Sequence, residues 1–247
     1  RNNARKKFYI ACKACPVCDG VECAGKVPGI GGIGSGSSFM DNLTALSCYR
    51  LNLRTLHKVT SPDLVSEFFG HKLSIPLLAA PITGMQTNLG GGMSEKEYAE
   101  AVLEGCLGFG VLGMVGDGAS PDKYKVGLEV ISRMGGLGIP IFKPRADNME
   151  ILKRFEAAQE AGAIAVGIDI DAACFKTMIL KNQAVSPKTI ADLRELKKHL
   201  SVPFILKGVM NVETAKICVD AGADAIVVSN HGGRVMDTMP GTADVLP

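Results

Sequence analysis

Six consecutive residues near the end of the sequence combine a titratable base, a fixed cation and two glycines: Ser229-Asn230-His231-Gly232-Gly233-Arg234. Imidazole is the side chain whose unperturbed pKa suits proton abstraction near neutral pH. A guanidinium group can hold a carboxylate through two parallel hydrogen bonds. The motif therefore predicts a base, His231, beside a carboxylate-binding Arg234. The alternative is a polar loop in which both side chains only bond to the backbone.

Charged residues also end apolar runs elsewhere in the chain. Lys207 follows the all-apolar run Phe204-Ile205-Leu206. A lysine at the end of a buried strand must face a polar partner, because burying its charge alone is costly. Asp169 and Asp171 end another run, and their spacing places both on one side of a strand. Either carboxylate could orient His231 and stabilise its protonated form; the alternative is that both cap the following helix.

Lys143 and Arg145 end a further apolar run with the same two-residue spacing. If both side chains point to one side of the strand, they make that region cationic. A cationic pocket attracts an anionic cofactor or substrate. We therefore predict that Lys143 contacts a cofactor and that Arg145 contacts the substrate.

The elements that must position these residues are visible from residue 75 onward, where short apolar runs alternate with amphipathic stretches. Runs that are apolar nearly throughout are typical of parallel strands buried on both faces. Helix starts are indicated by Ser94, Asp147, the pair Ser186-Pro187 and Asn211. The predicted strands are Ile75–Ile82, Phe109–Met114, Pro140–Arg145, Ala163–Ile170, Pro203–Val209 and Ala225–His231.

A repeated pattern supports a barrel. Gly162 and Gly222 stand in similar segments 60 residues apart, which is two units at roughly 30 residues per strand–helix unit. Such units predict a parallel sheet, either a barrel or doubly wound. Polar residues at the ends of several strands favour a TIM (β/α)₈ barrel. A dinucleotide-binding fold would need a G-x-G-x-x-G turn that the first strand lacks. Only six strands are predicted, so we expect an α/β chain truncated after the sixth strand of the barrel.

Residues 1–74 precede the barrel, which we assign to residues 75–247. They comprise a Cys-rich head (residues 8–25), a Gly/Ser-rich segment (residues 29–38) and a lead-in that begins with a predicted helix, Asp41–Tyr49. We expect this region to be an N-terminal Cys-rich cap on the barrel and not an independent domain.

Four cysteines of the head have a compact spacing, Cys12-x₂-Cys15-x₂-Cys18-x₄-Cys23. Four thiolates at such a spacing could share one zinc ion or hold an iron–sulfur cluster. The alternative is four reduced thiols packed in a Gly-rich cap. Disulfides are not expected, because no secretory signal precedes them.

Composition excludes several classes of function. A net charge of +2 gives no basic excess for binding nucleic acid or an anionic membrane. No apolar stretch approaches the roughly 20 residues of a membrane span. We therefore expect a cytoplasmic protein whose partner is a small molecule.

Taken together, the motifs resemble those of one family, the FMN-dependent 2-hydroxy-acid oxidases and dehydrogenases, which include lactate and glycolate oxidases. The segments that carry the resemblance end predicted strands: Ala79-Ala80-Pro81, Asp169, Lys207-Gly208 and Ser229–Arg234. The resemblance implies an FMN-binding TIM barrel that oxidises a small 2-hydroxy acid to the 2-oxo acid. It also implies a homo-oligomer, a tetramer or an octamer.

The resemblance implies a role for each matched position. His231 would take a proton from the hydroxy acid as the electrons pass to the flavin, and Asp169 would stabilise the protonated imidazole. Arg234 would bind the substrate carboxylate. The implied cofactor contacts are Ala80, Pro81, Ile82, Lys207 and Ser229.

The chain also departs from the family pattern. Well-studied members carry Gln and Tyr where this chain has Lys143 and Arg145, and Thr where it has Gly167, so the hydroxy acid is left open. The family's FMN phosphate loops follow strands seven and eight, so the six-unit chain is expected to retain FMN poorly. The alternatives are an isomerase of the type 2 isopentenyl-diphosphate isomerase kind, a metal and flavin electron-transfer protein, and an inactive fragment. The isomerase needs no histidine at position 231, so the motif opposes it.

Overall fold

The protein is built around six parallel strands preceded by a short hairpin. The computed structural model describes residues 2–8, 12–26, 29–120 and 123–247. The strands are β1 (Ser66–Phe68), β2 (His71–Leu73), β3 (Leu78–Ile82), β4 (Leu112–Gly116), β5 (Ile139–Phe142), β6 (Val166–Asp169), β7 (Phe204–Val209) and β8 (Ala225–Val228). The helices are α1 (Asn2–Lys7), α2 (Ser37–Cys48), α3 (Glu95–Phe109), α4 (Lys123–Arg133), α5 (Asn148–Glu160), α6 (Lys176–Leu180), α7 (Ile190–Lys198), α8 (Val212–Asp220) and α9 (Thr242–Val245).

The sheet has the topology of six consecutive units of a (β/α)₈ barrel. Strands β3 to β8 lie side by side in chain order, and every neighbouring pair is parallel. The two repeated segments occupy equivalent places, since Gly162 follows α5 and Gly222 follows α8, each with a positive φ. The predicted barrel architecture is confirmed. The β1–β2 hairpin, which is antiparallel, was not predicted.

Three of the six barrel strands end earlier than predicted. Strand β5 ends at Phe142, β6 at Asp169 and β8 at Val228. Phe109, predicted to begin a strand, is the last residue of α3. Arg145, three residues beyond the end of β5, therefore lies in a loop, where side chains are less constrained by the alternation of the sheet.

Three of the four predicted helix starts are confirmed. Ser94 and Asn211 accept hydrogen bonds from the amides three residues later, and Asp147 from the amide two residues later. The prediction at Ser186-Pro187 is wrong: α7 begins after Thr189, which forms a capping box with Asp192. The amide of Ser186 instead donates to Pro144 O at 3.0 Å, which holds this segment along the loop after β5.

Alternation along the strands separates two layers of the core. In β7, Phe204 and Leu206 pack with the helices, whereas Ile205 packs inside the barrel. In β5, Phe142 faces the helices and Ile141 the interior. Because successive side chains point to opposite faces, Lys207 and Lys143 follow Ile205 and Ile141 into the interior.

The segment before the barrel packs on the loop that follows β8. The Ser38 hydroxyl donates to Met236 O at 3.0 Å and accepts from the Met239 amide at 2.7 Å. The side chains of Asn42 and Asn230 are joined by a hydrogen bond of 2.9 Å. The helix in this segment begins at Ser37, four residues earlier than predicted, and ends at Cys48. The division of the chain at residue 75 stays a prediction.

Candidate active site

The centre of the candidate site is a buried carboxylate between two lysines. Asp169, the last residue of β6, accepts from Lys143 Nζ at 2.7 Å and from Lys207 Nζ at 2.8 Å. All three side chains are nearly inaccessible to solvent. Burial alone would raise the pKa of Asp169, but the two ammonium groups and His231 hold that pKa well below its ordinary value. Asp169 is therefore an anion that fixes both cations at the carboxyl ends of the strands.

His231 is held from both sides of its ring. Its Nδ1 lies 2.9 Å from Asp171 Oδ1 and 4.0 Å from Asp169 Oδ1. Its Nε2 lies 3.2 Å from Lys143 Nζ. An ammonium group only donates hydrogen bonds and a carboxylate only accepts them, so these partners favour the tautomer with the proton on Nδ1 and a lone pair on Nε2. Burial, followed by the charge of Lys143, lowers the pKa of His231.

The two aspartates that were predicted as equivalent thus have different contacts. Asp171 is the hydrogen-bonding partner of His231, and Asp169 is the partner of the two lysines. The approach of Asp171 depends on Gly208, which has a φ of +107° at a bulge in β7. A Cβ at this position would lie 2.5 Å from Asp171 Cβ and 2.7 Å from its Oδ1. The second oxygen of Asp171, Oδ2, is buried and has no hydrogen-bond partner among the described residues.

The backbone of the loop after β8 presents His231 in a left-handed conformation, with a φ of +58°. Its amide donates to Ser229 Oγ at 3.1 Å. Asn230 is buried, donates to Ser38 O at 3.0 Å and accepts from the Gly233 amide at 3.3 Å. These bonds hold a conformation that a non-glycine residue rarely adopts.

An aromatic residue that the sequence interpretation missed lies among the cations. The ring of Phe175 is 4.8 Å from Lys143 Nζ and 4.8 Å from the Arg234 guanidinium carbon. It also contacts the imidazole of His231, with ring centroids 4.9 Å apart. Burial lowers the pKa of Arg234 to about 10, so the guanidinium keeps its charge at neutral pH. Cations over an aromatic face are stabilised by the ring electrons, and Phe175 therefore favours this cationic arrangement.

Arg145 belongs to a different network. It donates to both carboxylate oxygens of Asp117 at 3.0 Å and to Gln183 Oε1 at 2.8 Å. Arg154 Nε lies 3.6 Å from the same carboxylate. The structure therefore brings Arg145 to a buried ion pair and not to His231, and its predicted contact with a substrate receives no support from this geometry.

The predicted flavin contacts lie around the same edge of the sheet. Ala80 and Ile82 are exposed at the end of β3, and the pairing of β3 with β4 is interrupted between Ala79 and Ile82. Ser229 and Lys207 lie at the ends of β8 and β7. These positions leave backbone and cationic groups around the opening of the barrel.

Metal ligation at this site is opposed by its charges. Among the described residues, only Asp169, Asp171 and His231 bring three ligand atoms within 4.8 Å of one another. The ammonium groups of Lys143 and Lys207 already contact Asp169. A metal cation would have to displace both lysines, so this cluster is better explained as an acid–base site. The sulfurs of Cys12, Cys15, Cys18 and Cys23 do not converge as closely.

Comparison with known proteins agrees with this geometry. The family described as FMN-dependent dehydrogenase matches residues 30–191 and 175–247. The chain belongs to this family. Within it, the L-lactate oxidase of Lactobacillus jensenii is 27% identical over 250 residues, which cover 87% of this chain and 59% of that protein. The 2-hydroxyacid oxidase 1 of Mus musculus is 26% identical, with 84% of this chain and 64% of that protein covered.

The fold of the FMN-dependent dehydrogenase family is also found among solved structures. A crystal structure of mandelate oxidase with 3,3-difluoro-2-hydroxy-3-phenylpropionic acid matches with a TM-score of 0.63 and 26% identity, covering 83% of this chain and 63% of that one. The chain thus spans about three fifths of the length of the relatives it matches. The resemblance inferred from the motifs is confirmed.

Proposed function

We propose that the protein oxidises a small 2-hydroxy acid to the 2-oxo acid, with His231 accepting a proton from the substrate. The observation that carries this proposal is the environment of the imidazole. Its Nδ1 is fixed by Asp171, its Nε2 faces the interior cations, and its pKa is lowered. A neutral, oriented imidazole is the state that a general base requires at neutral pH.

The carboxylates would stabilise His231 after it has accepted the proton. Asp171 Oδ1 already contacts Nδ1, and Asp169 lies 4.0 Å away. A protonated imidazole beside two carboxylates is favoured electrostatically, although burial opposes its charge. The residues alone left the orienting role open between the two aspartates, and the contact assigns it to Asp171. Asp169, to which the resemblance gave stabilisation of the protonated imidazole, acts through its charge.

Arg234 and Lys143 are the groups that we assign to substrate binding. Arg234 is a partly buried cation whose guanidinium lies over Phe175. A carboxylate that bonds to a guanidinium in two places is fixed in orientation. Lys143 Nζ lies at the Nε2 of His231, which is the position that the substrate hydroxyl must reach. Lys143 therefore has to move aside or to bond to the same substrate oxygen.

The residues at the barrel opening fit FMN. FMN, when bound, supplies a two-electron acceptor next to the substrate. Lys207 is a buried cation at the end of β7 and suits the edge of a ring that becomes negatively charged on reduction. The exposed strand end at Ala80, Pro81 and Ile82 offers a surface against which the ring can lie, and Ser229 adds a hydroxyl. Asp171 Oδ2, which is buried and has no hydrogen-bond partner within the described part of the chain, leaves one acceptor for a ligand group.

An anaerobic absorbance spectrum of the complete protein, before and after addition of a panel of 2-hydroxy acids, tests the proposal. We expect a flavin spectrum that one or more of these acids bleaches, with the matching 2-oxo acid formed in equal amount. A flavin that no hydroxy acid reduces would contradict the proposed reaction and favour the electron-transfer alternative. A protein without flavin would contradict the cofactor assignment itself.

Two further expectations stay predictions. The resemblance implies a homo-oligomer, a tetramer or an octamer, which sedimentation of the complete protein would measure. Location in the cytoplasm is the other. No helix within the described part of the chain is both long enough and apolar enough to cross a bilayer.

A further inference from the structure

The Cys-rich head has little apolar surface to hold it in place. Within residues 12–26 the regular structure is a single 3₁₀ turn, Val21–Cys23. Val17 and Val21 are 64% and 61% exposed. A short segment that buries so little apolar area needs another constraint, such as a disulfide or a metal, to keep one conformation. All eight cysteines of the chain lie within the described residues, and all are free thiols.

The thiols of the head are close enough to influence one another. Burial raises the pKa of the Cys18 thiol, and the charges of Cys12 and Cys15 raise it further. Burial also raises the pKa of Cys23, and the other three thiols add to the effect. Neighbouring cysteines of the head are separated by only two or four residues, so the four sulfurs lie within one short segment.

A backbone amide and two cations lie close to the head. Ala14 has a φ of +47°, and its amide donates to Cys12 Sγ at 3.4 Å. This contact fixes the position of the Cys12 sulfur relative to the turn at Ala14. Arg5 donates to Ala14 O at 3.3 Å, and the positive charge of Lys26 partly opposes the rise in the pKa of Cys23. Positive charge therefore flanks the four sulfurs at both ends of the motif.

The carboxyl-terminal side of the head is fixed on the rest of the protein. A Cβ on Gly31 would lie 2.6 Å from Cys23 Sγ, and one on Gly20 would lie 2.9 Å from Cε1 of Phe39. These contacts need glycine and place Cys23 against the Gly-rich segment. That segment is in turn held to the loop of the candidate site, because the Ile33 amide donates to Gly233 O at 2.9 Å. Cys23 is therefore anchored, whereas Val17 and Cys18 are exposed.

We propose that Cys12, Cys15, Cys18 and Cys23 bind one metal centre through four thiolates, and that this centre holds the head at the opening of the barrel. The spacing lets each pair of neighbouring cysteines share a metal, and the anchored Cys23 provides the fixed ligand. Residues 12–18 then close onto the metal. Binding of Zn²⁺ releases the four thiol protons and leaves a formal charge of −2, which Arg5 and Lys26 offset. The same four ligands suit an iron–sulfur cluster.

Metal analysis of the complete protein, purified anaerobically without chelators, is the first test. We expect one zinc per chain, or iron together with acid-labile sulfide; the two results distinguish the ion from the cluster, and either supports the four-thiolate site. Cys15→Ser and Cys18→Ser should each lower the metal content at least severalfold. Cys48→Ser, which changes an exposed cysteine outside the head, is the matched control and should keep it. Metal below a tenth of an equivalent in the unaltered protein, or retained fully in both variants, would overturn the proposal.

A second test separates ligation from misfolding of a variant. Co²⁺ added to chelator-treated, unaltered protein should give intense sulfur-to-cobalt charge-transfer bands and the visible pattern of a tetrahedral ion. Limited trypsin digestion then reports on the head, since Lys13 is exposed. Metal should slow cleavage at Lys13 severalfold while the flavin spectrum stays unchanged. Cobalt without sulfur charge-transfer bands, or equal cleavage with and without metal, would refute the site or its role in holding the head.

Discussion

Replacing Gly208 with alanine should damage the candidate site through Asp171. At a φ of +107° an L-residue is strained, at about 1–3 kcal/mol. The new Cβ would also lie 2.5 Å from Asp171 Cβ, so the aspartate has to retreat by about 0.9 Å to reach an ordinary contact near 3.4 Å. Crowding of this kind in a packed interior adds about 1–3 kcal/mol. We therefore expect Gly208→Ala to lower the free energy of unfolding by roughly 2–6 kcal/mol.

The same displacement weakens the bond between Asp171 and His231. A misplacement of about 1 Å in a catalytic arrangement can lower a rate about 100-fold, and we expect a loss of that order in the rate of flavin reduction by substrate. Stopped-flow absorbance of the complete protein measures this rate, and chemical denaturation measures the stability. Because Asp171→Ala already removes the bond to His231, adding Gly208→Ala to it should slow reduction little further.

Gly135→Ala is the matched control for this prediction. Gly135 also has a positive φ, of +66°, but a Cβ there would meet nothing within 4 Å. Gly135→Ala should lower the free energy of unfolding only by the backbone strain, about 1–2 kcal/mol. Its rate of flavin reduction should be unchanged. If Gly208→Ala reduces flavin as fast as Gly135→Ala does, the proposed dependence of His231 on Asp171 is refuted.

Three further predictions concern the charged residues. His231→Ala should keep the flavin spectrum and slow reduction by substrate by about 10²–10⁴-fold; unchanged turnover would exclude His231 as the base. Lys143→Gln removes a charge that lowers the pKa of His231, so that pKa rises and the acid limb of a kcat/KM profile moves to higher pH; a shift to lower pH would contradict the contact. Arg145→Met leaves the Asp117 carboxylate buried without its main partner, which should lower stability by about 3–5 kcal/mol and leave KM for the hydroxy acid unaltered in the folded enzyme. A large rise in KM at unchanged stability would instead return Arg145 to the substrate site.

The architecture of the barrel was predictable because buried parallel strands leave a direct trace in sequence. The runs around Ile141, Ile168 and Ile205 are apolar on both faces, and their order along the chain is their order in the sheet. Alternation then carries Lys143, Asp169 and Lys207 to the interior. Their convergence follows from strand geometry alone, since the carboxyl ends of parallel strands meet at one edge.

The details of the site were less predictable because they depend on loops. Asp171 was expected to continue the strand, but a 3₁₀ turn begins at Ile170. Asp171 therefore reaches His231 from this turn and not from a strand. Phe175 follows that turn and carries no motif that would identify it beforehand. Arg145 was assigned by the same alternation, yet its strand ends at Phe142 and its partner Asp117 follows a different strand. The alternation of side chains predicts their direction only as far as the strand extends. Gly208, next to Lys207, is a local signal in the sequence that another group, here Asp171, approaches the backbone closely.

The attachment of α2 and the residues just before it to the loop after β8 has a consequence for how the protein folds. Ser35 and Ser38 bond to Asp237 and Met236 across sequence separations of 202 and 198 residues. Closing loops of that size is entropically unfavourable until the chain between them is ordered, and long-range contacts slow folding. During synthesis the amino-terminal segment leaves the ribosome long before its docking surface exists. The conformation of His231, which relies on Asn230 and Ser38, is therefore among the last features of the molecule to form.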